Sequence, residues 1–264
     1  MKTEFLGKTV SGPFTIPSGI VSTAPSIIQR IFDDLPEIGV ITTKSVGPVP
    51  RAGNREPVYS QYAPGCFVNA VGLTNPGAEE ARKGFESLTI PEDRFLLVSI
   101  FGGSIEEFVE VAKILAPVAD GLELNLSCPH AQGYGMAMGQ DPEMVKAIVS
   151  AVKAAVDVPV IPKLTPNVDR IENIGLAALE AGADGSVPLT QWDPATQKVT
   201  DTLYSVMAWA ACPVAAFYPR PSSVFAHSKR LLTSPSSAVA VYRLPMIAAQ
   251  RSAPAHPSLA LVPP

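Results

Sequence analysis

Glycine is missing from the last 79 residues of this 264-residue chain, because all 19 glycines lie at or before Gly185. Acidic residues nearly vanish from the same stretch, where only Asp193 and Asp201 remain of 24. Regular αβ units use Gly to end helices and Asp, Ser or Asn to begin them. Those positions need a left-handed backbone or a side-chain acceptor. Their absence from 186–264 excludes a regular continuation of such units there. Eleven of the 27 prolines fall in this stretch, and its formal charge is +4 against −8 for residues 1–185. A segment that keeps Ala, Ser and Pro but loses every Gly reads as a reading-frame change or a non-homologous tail. A genuine Pro-rich extension is the alternative. Residue 185 is read as a domain boundary.

Other scarcities exclude other classes. Three cysteines without short regular spacing are too few for a disulfide framework and indicate a reducing, cytoplasmic setting. The longest apolar run, Val206 to Phe217, is too short to span a bilayer, and Met1 to Val10 lacks the apolar core of a signal peptide, so no membrane is expected. A net charge of −4 leaves no electrostatic footprint for nucleic acid. No metal site is assigned. What remains is a 47% hydrophobic, 17% charged chain able to bury a sizeable core.

Strand and helix patterns alternate through 1–185. Phe14 to Gly19 is a short extended piece ending in small residues, and Pro25 to Phe32 reads as a helix. Val40 to Ser45 is a β-branched strand with a polar C-terminal end. A long Gly-, Pro- and Arg-containing loop follows through Pro57 and runs into Cys66 to Gly77. Phe95 to Ile100 is a strand. Ser104 with Glu107 forms a capping box ahead of Ile105, Phe108, Ala112 and Leu115 at helical spacing. Leu122 to Leu126 is the central strand, with Glu123, Asn125 and Ser127 on the face opposite its leucines. Asp141 caps a helix with Pro142 at its first position, whose apolar face is Val145, Ile148, Val149 and Val152. Val158 to Lys163 reads as a strand only if its prolines sit at ends or edges. Ile171 to Ala181 is a helix stopped by Gly182.

Alternation of this kind predicts α/β structure with a parallel sheet, and about five β/α units favour a barrel built toward eight. No Gly-x-Gly-x-x-Gly turn supports a dinucleotide-binding open sheet. Barrel active sites lie at the C-terminal ends of the strands. Ser18, Lys44, Ser45, Ser99, Asn125, Cys128 and Lys163 stand at five successive strand ends. The glycine-spaced run from Ala131 to Gly139 suits a mobile cover.

Ile41 to Ser45, Val68 to Gly77, Glu123 to Pro129, Pro162 to Asn167 and Ala181 to Gly185 together resemble the class 1 dihydroorotate dehydrogenases. The resemblance implies an FMN-type (β/α)8 barrel that oxidises dihydroorotate to orotate in de novo pyrimidine biosynthesis. It implies Cys128 as the base taking a proton from C5 while hydride leaves C6 for the flavin, with Lys44 beside both flavin and substrate. A thiol is mostly protonated at neutral pH, so that role requires a site favouring thiolate. Ser18, Lys44, Ser45, Ser99, Asn125 and Lys163 are expected to contact FMN. Lys44, Asn69, Ala70, Val71, Gly72, Leu73 and Asn125 are expected to contact substrate. The resemblance implies that electrons pass either to fumarate or, through an iron–sulfur flavoprotein electron-transfer subunit, to NAD, and the variants at Cys66 to Asn75 and Ser127 to His130 look closer to the partner-using branch. A homo-oligomer is expected. The sequence departs from the family at His130 and Ser99, where many members carry Asn, and its tail lacks the family's Ile-Asn-Thr and Gly-Gly motifs. Two alternatives follow: a truncated or frameshifted fragment that binds no flavin, and a related flavin barrel acting on another dihydropyrimidine.

Overall fold

The computed structural model describes residues 2–63, 66–127, 136–165, 168, 170–187, 210–211 and 242–243. Its centre is a parallel sheet in the order β3 (Phe14–Ile16), β4 (Ile38–Thr42), β7 (Phe95–Ile100), β8 (Gly121–Asn125) and β9 (Val160–Lys163). The connections run through α1 (Pro25–Asp34), α2 (Ala78–Glu86), α3 (Ile105–Leu115) and α5 (Pro142–Ala155), and α6 (Ile171–Glu180) follows β9. Short α4 (Met136–Gly139) precedes α5. This is the α/β alternation that the sequence predicts.

Strands β4, β7, β8 and β9 are buried on both faces, and the two faces have different partners. Leu96, Val98 and Ile100 of β7, with Leu122 and Leu124 of β8, join one core with the helices. Val145, Ile148, Val149 and Val152 of α5 are fully buried in that core, each contributing about 1.5–3 kcal/mol relative to exposure. The opposite face holds a smaller cluster of Val40, Phe95, Leu97 and Ile161 with Val10. Residues from β4 and β9, which are not neighbours in the sheet, meet in one cluster because the sheet curls as a partial barrel. A hairpin of β1 (Thr3–Phe5) and β2 (Lys8–Val10) packs against this inner cluster, with Phe5 edge-on to Phe95 at 4.9 Å between ring centroids. The inner face is thus apolar near the N-terminal strand ends.

Local signals account for most boundaries. Ser104 accepts from the Glu107 N–H at 3.2 Å. The Glu107 carboxylate reaches the Gly103 N–H (2.7 Å) instead of the cap's own N–H, a shifted form of the expected box. Asp141 accepts from the Glu143 N–H at 3.0 Å, with Pro142 at the first turn. Gly182, at φ +90°, closes α6: its N–H meets Leu179 O and the Ala183 N–H meets Ala178 O, the paired bonds of a Schellman ending. Pro162 is tolerated inside β9 because its carbonyl accepts from the Val187 N–H at 2.9 Å. A residue's N–H and C=O share one side of a strand, so the missing donor faces away from β8.

Two Asp-Gly pairs start strands in the same way. The Asp120 carboxylate accepts from the Leu96 N–H (2.8 Å) and pairs with Lys8 (2.7 Å). The Asp184 carboxylate accepts from the Val160 N–H (2.8 Å) and pairs with Lys153 (2.7 Å). Each clamps the start of the preceding strand and hands the chain to the next.

Two features of the long 46–94 connection differ from the sequence reading. It holds an antiparallel hairpin, β5 (Tyr59–Ala63) with β6 (Cys66–Asn69), and helix α2. The hairpin was obscured by Gly- and Pro-rich flanks, and α2 by its low proportion of apolar residues. Beyond Val187 the described elements are β10 (Ala210–Ala211), antiparallel to β6, and β11 (Tyr242–Arg243), antiparallel to β3. They do not continue the parallel alternation. Among the described residues no helix is long and apolar enough to cross a membrane.

Candidate functional site

Toward the C-terminal strand ends the inner face changes from apolar to polar. Register places Ser99 opposite Glu123 and Asn125 opposite Lys163. Alternation sends these side chains to the face opposite Leu122, Leu124 and the helices. Ser99, Glu123, Asn125, Lys163 and Ser45 are all buried.

These groups form one connected set. Lys163 Nζ lies 3.0 Å from Glu123 Oε1, with side-chain exposures of 10% and 3%. Ser99 Oγ donates to the same carboxylate oxygen at 2.7 Å. Ser45 and Ser99 hydroxyls are 2.9 Å apart, and Asn125 Nδ2 donates to Ser45 Oγ at 2.9 Å. Ser18 Oγ, just past β3, is 3.4 Å from Ser45 Oγ. Asn125 Oδ1 accepts from Ser127 N (3.2 Å) and Ser127 Oγ (2.9 Å). A carboxylate and an ammonium taken out of water cost several kcal/mol unless paired and further hydrogen-bonded. Glu123, Lys163 and Ser99 meet that condition together.

A second segment is held at the same end of the sheet. Val46 extends β4 beside β7, its N–H donating to Ser99 O at 2.9 Å. Buried Asn75 ties the next residue to the 69–77 segment: its Oδ1 accepts from Gly47 N (3.2 Å) and Gly77 N (2.9 Å), and its Nδ2 donates to Leu73 O (2.8 Å). Asn54 holds the other side, its N–H on Val71 O (3.1 Å) and its Nδ2 on Ala70 O (2.8 Å). Gly72 turns at φ +78°, and Leu73 is itself left-handed at φ +56°. A Cβ at Gly72 would lie 2.8 Å from Asn54. The result is a tight arch whose backbone polar groups are already ordered.

Ser18, Ser45, Ser99, Asn125 and Lys163 are brought together as the sequence predicts. Half-buried Lys44 stands beside Ser45, its backbone N–H donating to Ser22 O at 2.9 Å. Asn69 ends β6, and Ala70, Val71, Gly72 and Leu73 make up the arch. Cys128 and His130, with most of the glycine-spaced run, lie outside the described residues. Sequence reasoning missed Glu123 as a member of the cluster and Asn54 and Asn75 as the supports of the arch. An acidic residue on the polar face of an otherwise leucine-rich strand was the available signal for Glu123.

Chemically, the arrangement sets a buried cation, an amide and several hydroxyls around the inner end of a parallel sheet. Such a set can grip an uncharged or anionic polar ring edge without water. Residues 1–201 match the family model described as dihydroorotate dehydrogenase. The chain is 45% identical over 187 residues to a Pyrococcus horikoshii protein named dihydroorotate dehydrogenase B (NAD(+)), catalytic subunit; the match covers 70% of this chain and 59% of that one. Proteins of the same name from Pyrococcus abyssi (46% over 189 residues, 70% and 60% covered) and Thermococcus kodakarensis (47% over 178 residues, 67% and 57%) are similarly close. The matches thus span under two thirds of the length of these relatives.

Proposed function

The chain belongs to the dihydroorotate dehydrogenase family, and from that premise we propose that it derives from an FMN-dependent enzyme oxidising dihydroorotate to orotate in pyrimidine biosynthesis. The observation that carries this reading is the buried Lys163–Glu123–Ser99–Ser45–Asn125 set at the strand ends, next to the Ala70–Leu73 arch.

The residues present fit the ring of such a cofactor. Lys163 and the second N–H of Asn125 offer donors, and the Ser18 and Ser99 hydroxyls offer acceptors, for a heteroaromatic edge, and Lys44 stands at the same strand end. The phosphate is a separate matter. Barrels of this kind bind phosphate through glycine loops and a helix N-terminus after the last strands, and no glycine follows Gly185. When bound, the flavin supplies a two-electron acceptor.

The chain's own residues would perform the rest. Asn69, the Ala70–Leu73 backbone and Asn125 would orient the substrate ring through amide hydrogen bonds. Lys44 would neutralise a carboxylate. Cys128 is proposed to take the proton, its place following β8 being the support for that role. The relatives' names, catalytic subunits of an NAD(+) enzyme, support a separate electron-transfer subunit of iron–sulfur flavoprotein type as partner. A cytoplasmic homo-oligomer fits the same reading. We place the barrel part in residues 1–185 and treat 186–264 as a tail outside it; limited proteolysis of the full chain should leave a core ending near residue 185.

The decisive experiment is the visible spectrum of purified chain mixed with FMN, at about 450 nm, followed by anaerobic dihydroorotate. Retained yellow colour that bleaches supports the activity. Colourless protein after desalting would refute it for this chain and favour the reading of a fragment that binds no flavin.

A further inference from the structure

Glu123 is a buried carboxylate to which the proposed chemistry assigns no part. It sits at the centre of the polar layer, and its charge has consequences for every hydroxyl around it. An ionised carboxylate accepts hydrogen bonds and donates none. Ser99 Oγ, 2.7 Å away, must therefore spend its single proton on Glu123. Ser99 can then only accept from Ser45 at 2.9 Å. Ser45, its proton spent in turn, accepts from Asn125 Nδ2 at 2.9 Å and from Ser18 at 3.4 Å. Asn125 is left with its nitrogen toward Ser45 and its oxygen toward Ser127, whose N–H and O–H both donate to it. The same carboxylate oxygen draws Lys163 Nζ to 3.0 Å.

We propose that Glu123 is a positioning residue: its charge sets the donor direction of the Ser18–Ser45–Ser99 chain, fixes the amide orientation of Asn125, and holds the Lys163 ammonium at the inner face. The inference rests on the proposed flavin site only for what Lys163 and Asn125 would face. Gln in place of Glu123 keeps the shape but can donate as well as accept, so both the direction of the chain and the hold on Lys163 are lost.

The test uses the full chain as wild type, Glu123→Gln and Glu123→Asp. Each is labelled with an amine-reactive succinimidyl ester, and lysine modification is quantified by peptide mass spectrometry. Exposed Lys2 and Lys113 serve as internal controls. Released from its counter-charge, Lys163 should label about fivefold faster or more in E123Q while the controls stay level. E123D, which keeps the charge, should restore slow labelling. Unchanged Lys163 labelling in E123Q would overturn the proposal. A uniform rise at every lysine would overturn it too, since it would mean that Glu123 merely supports the fold. In a parallel arm, FMN binding followed by fluorescence quenching should weaken about tenfold in E123Q. A wild-type chain that takes up no FMN would defeat the flavin reading, and the labelling arm would still decide the role of Glu123.

Discussion

Asn75→Ala should unfasten the arch from the sheet. The side chain is buried at 8% exposure and satisfies three backbone groups: the N–H groups of Gly47 and Gly77 and the carbonyl of Leu73. Alanine leaves two buried donors without a partner, at about 1–3 kcal/mol each, and removes a hydrogen bond worth about 1 kcal/mol. The expected loss is about 4 kcal/mol, a large share of the roughly 5–15 kcal/mol that holds a domain folded. Asn75→Asp is the informative control. It keeps both acceptor roles but turns an oxygen toward Leu73 O where a donor stood, so it should fall between wild type and alanine. Urea unfolding followed by circular dichroism measures the loss. Amide exchange at Gly47 and Gly77 should rise together in N75A, because one side-chain oxygen serves both. An N75A protein within about 1 kcal/mol of wild type would refute the reasoning, as would faster exchange at only one of the two amides.

Other expectations follow from the same contacts. Lys163→Met leaves the Glu123 carboxylate buried and unpaired and should cost about 3–5 kcal/mol in thermal or urea unfolding; the double variant with Glu123→Gln should recover much of it. Gly72→Ala forces a side chain into φ +78° against Asn54 and should cost about 1–3 kcal/mol, read from the melting curve. Ser104→Ala removes the α3 cap and should cost about 1 kcal/mol. The Lys146–Glu180 pair joins α5 to α6 on the surface at 2.8 Å. Its hydrogen bond and charge lower the Glu180 pKa and raise that of Lys146. The Glu180 contribution is therefore present above the ordinary carboxylate pKa and lost as pH falls through the lowered one. The Lys146 contribution is present below the ordinary lysine pKa and lost as pH rises through the raised one. Stability against pH should flatten slightly at both limbs in Glu180→Gln, and salt should erase the difference.

What the sequence determined by itself was local. Asp141-Pro142, Ser104 with Glu107, and Gly182 after a periodic run place helix ends because each signal is satisfied within a few residues of chain. Alternating Leu and polar residues over 122–127 assigned those side chains to opposite faces, and the structure keeps that assignment. Loss of glycine and acid after Gly185 is the ground on which the boundary at residue 185 is proposed. The family resemblance rested on short stretches too, among them Ile41 to Ser45, Val68 to Gly77 and Glu123 to Pro129. Tertiary structure decided what depends on register between distant strands. Ser45 meets Ser99 across 54 residues and Asn125 meets Ser45 across 80, and no local pattern encodes those pairings. Helix α2 and the β5–β6 hairpin are held by Asn75, Asn54 and the cross-strand ladder more than by their own propensities. Glu123 shows the difference most clearly. In the sequence it is one acid in an apolar strand; only strand pairing sets Ser99 opposite it and draws Lys163 to its carboxylate, and the cost of burying an unpaired charge makes that arrangement necessary.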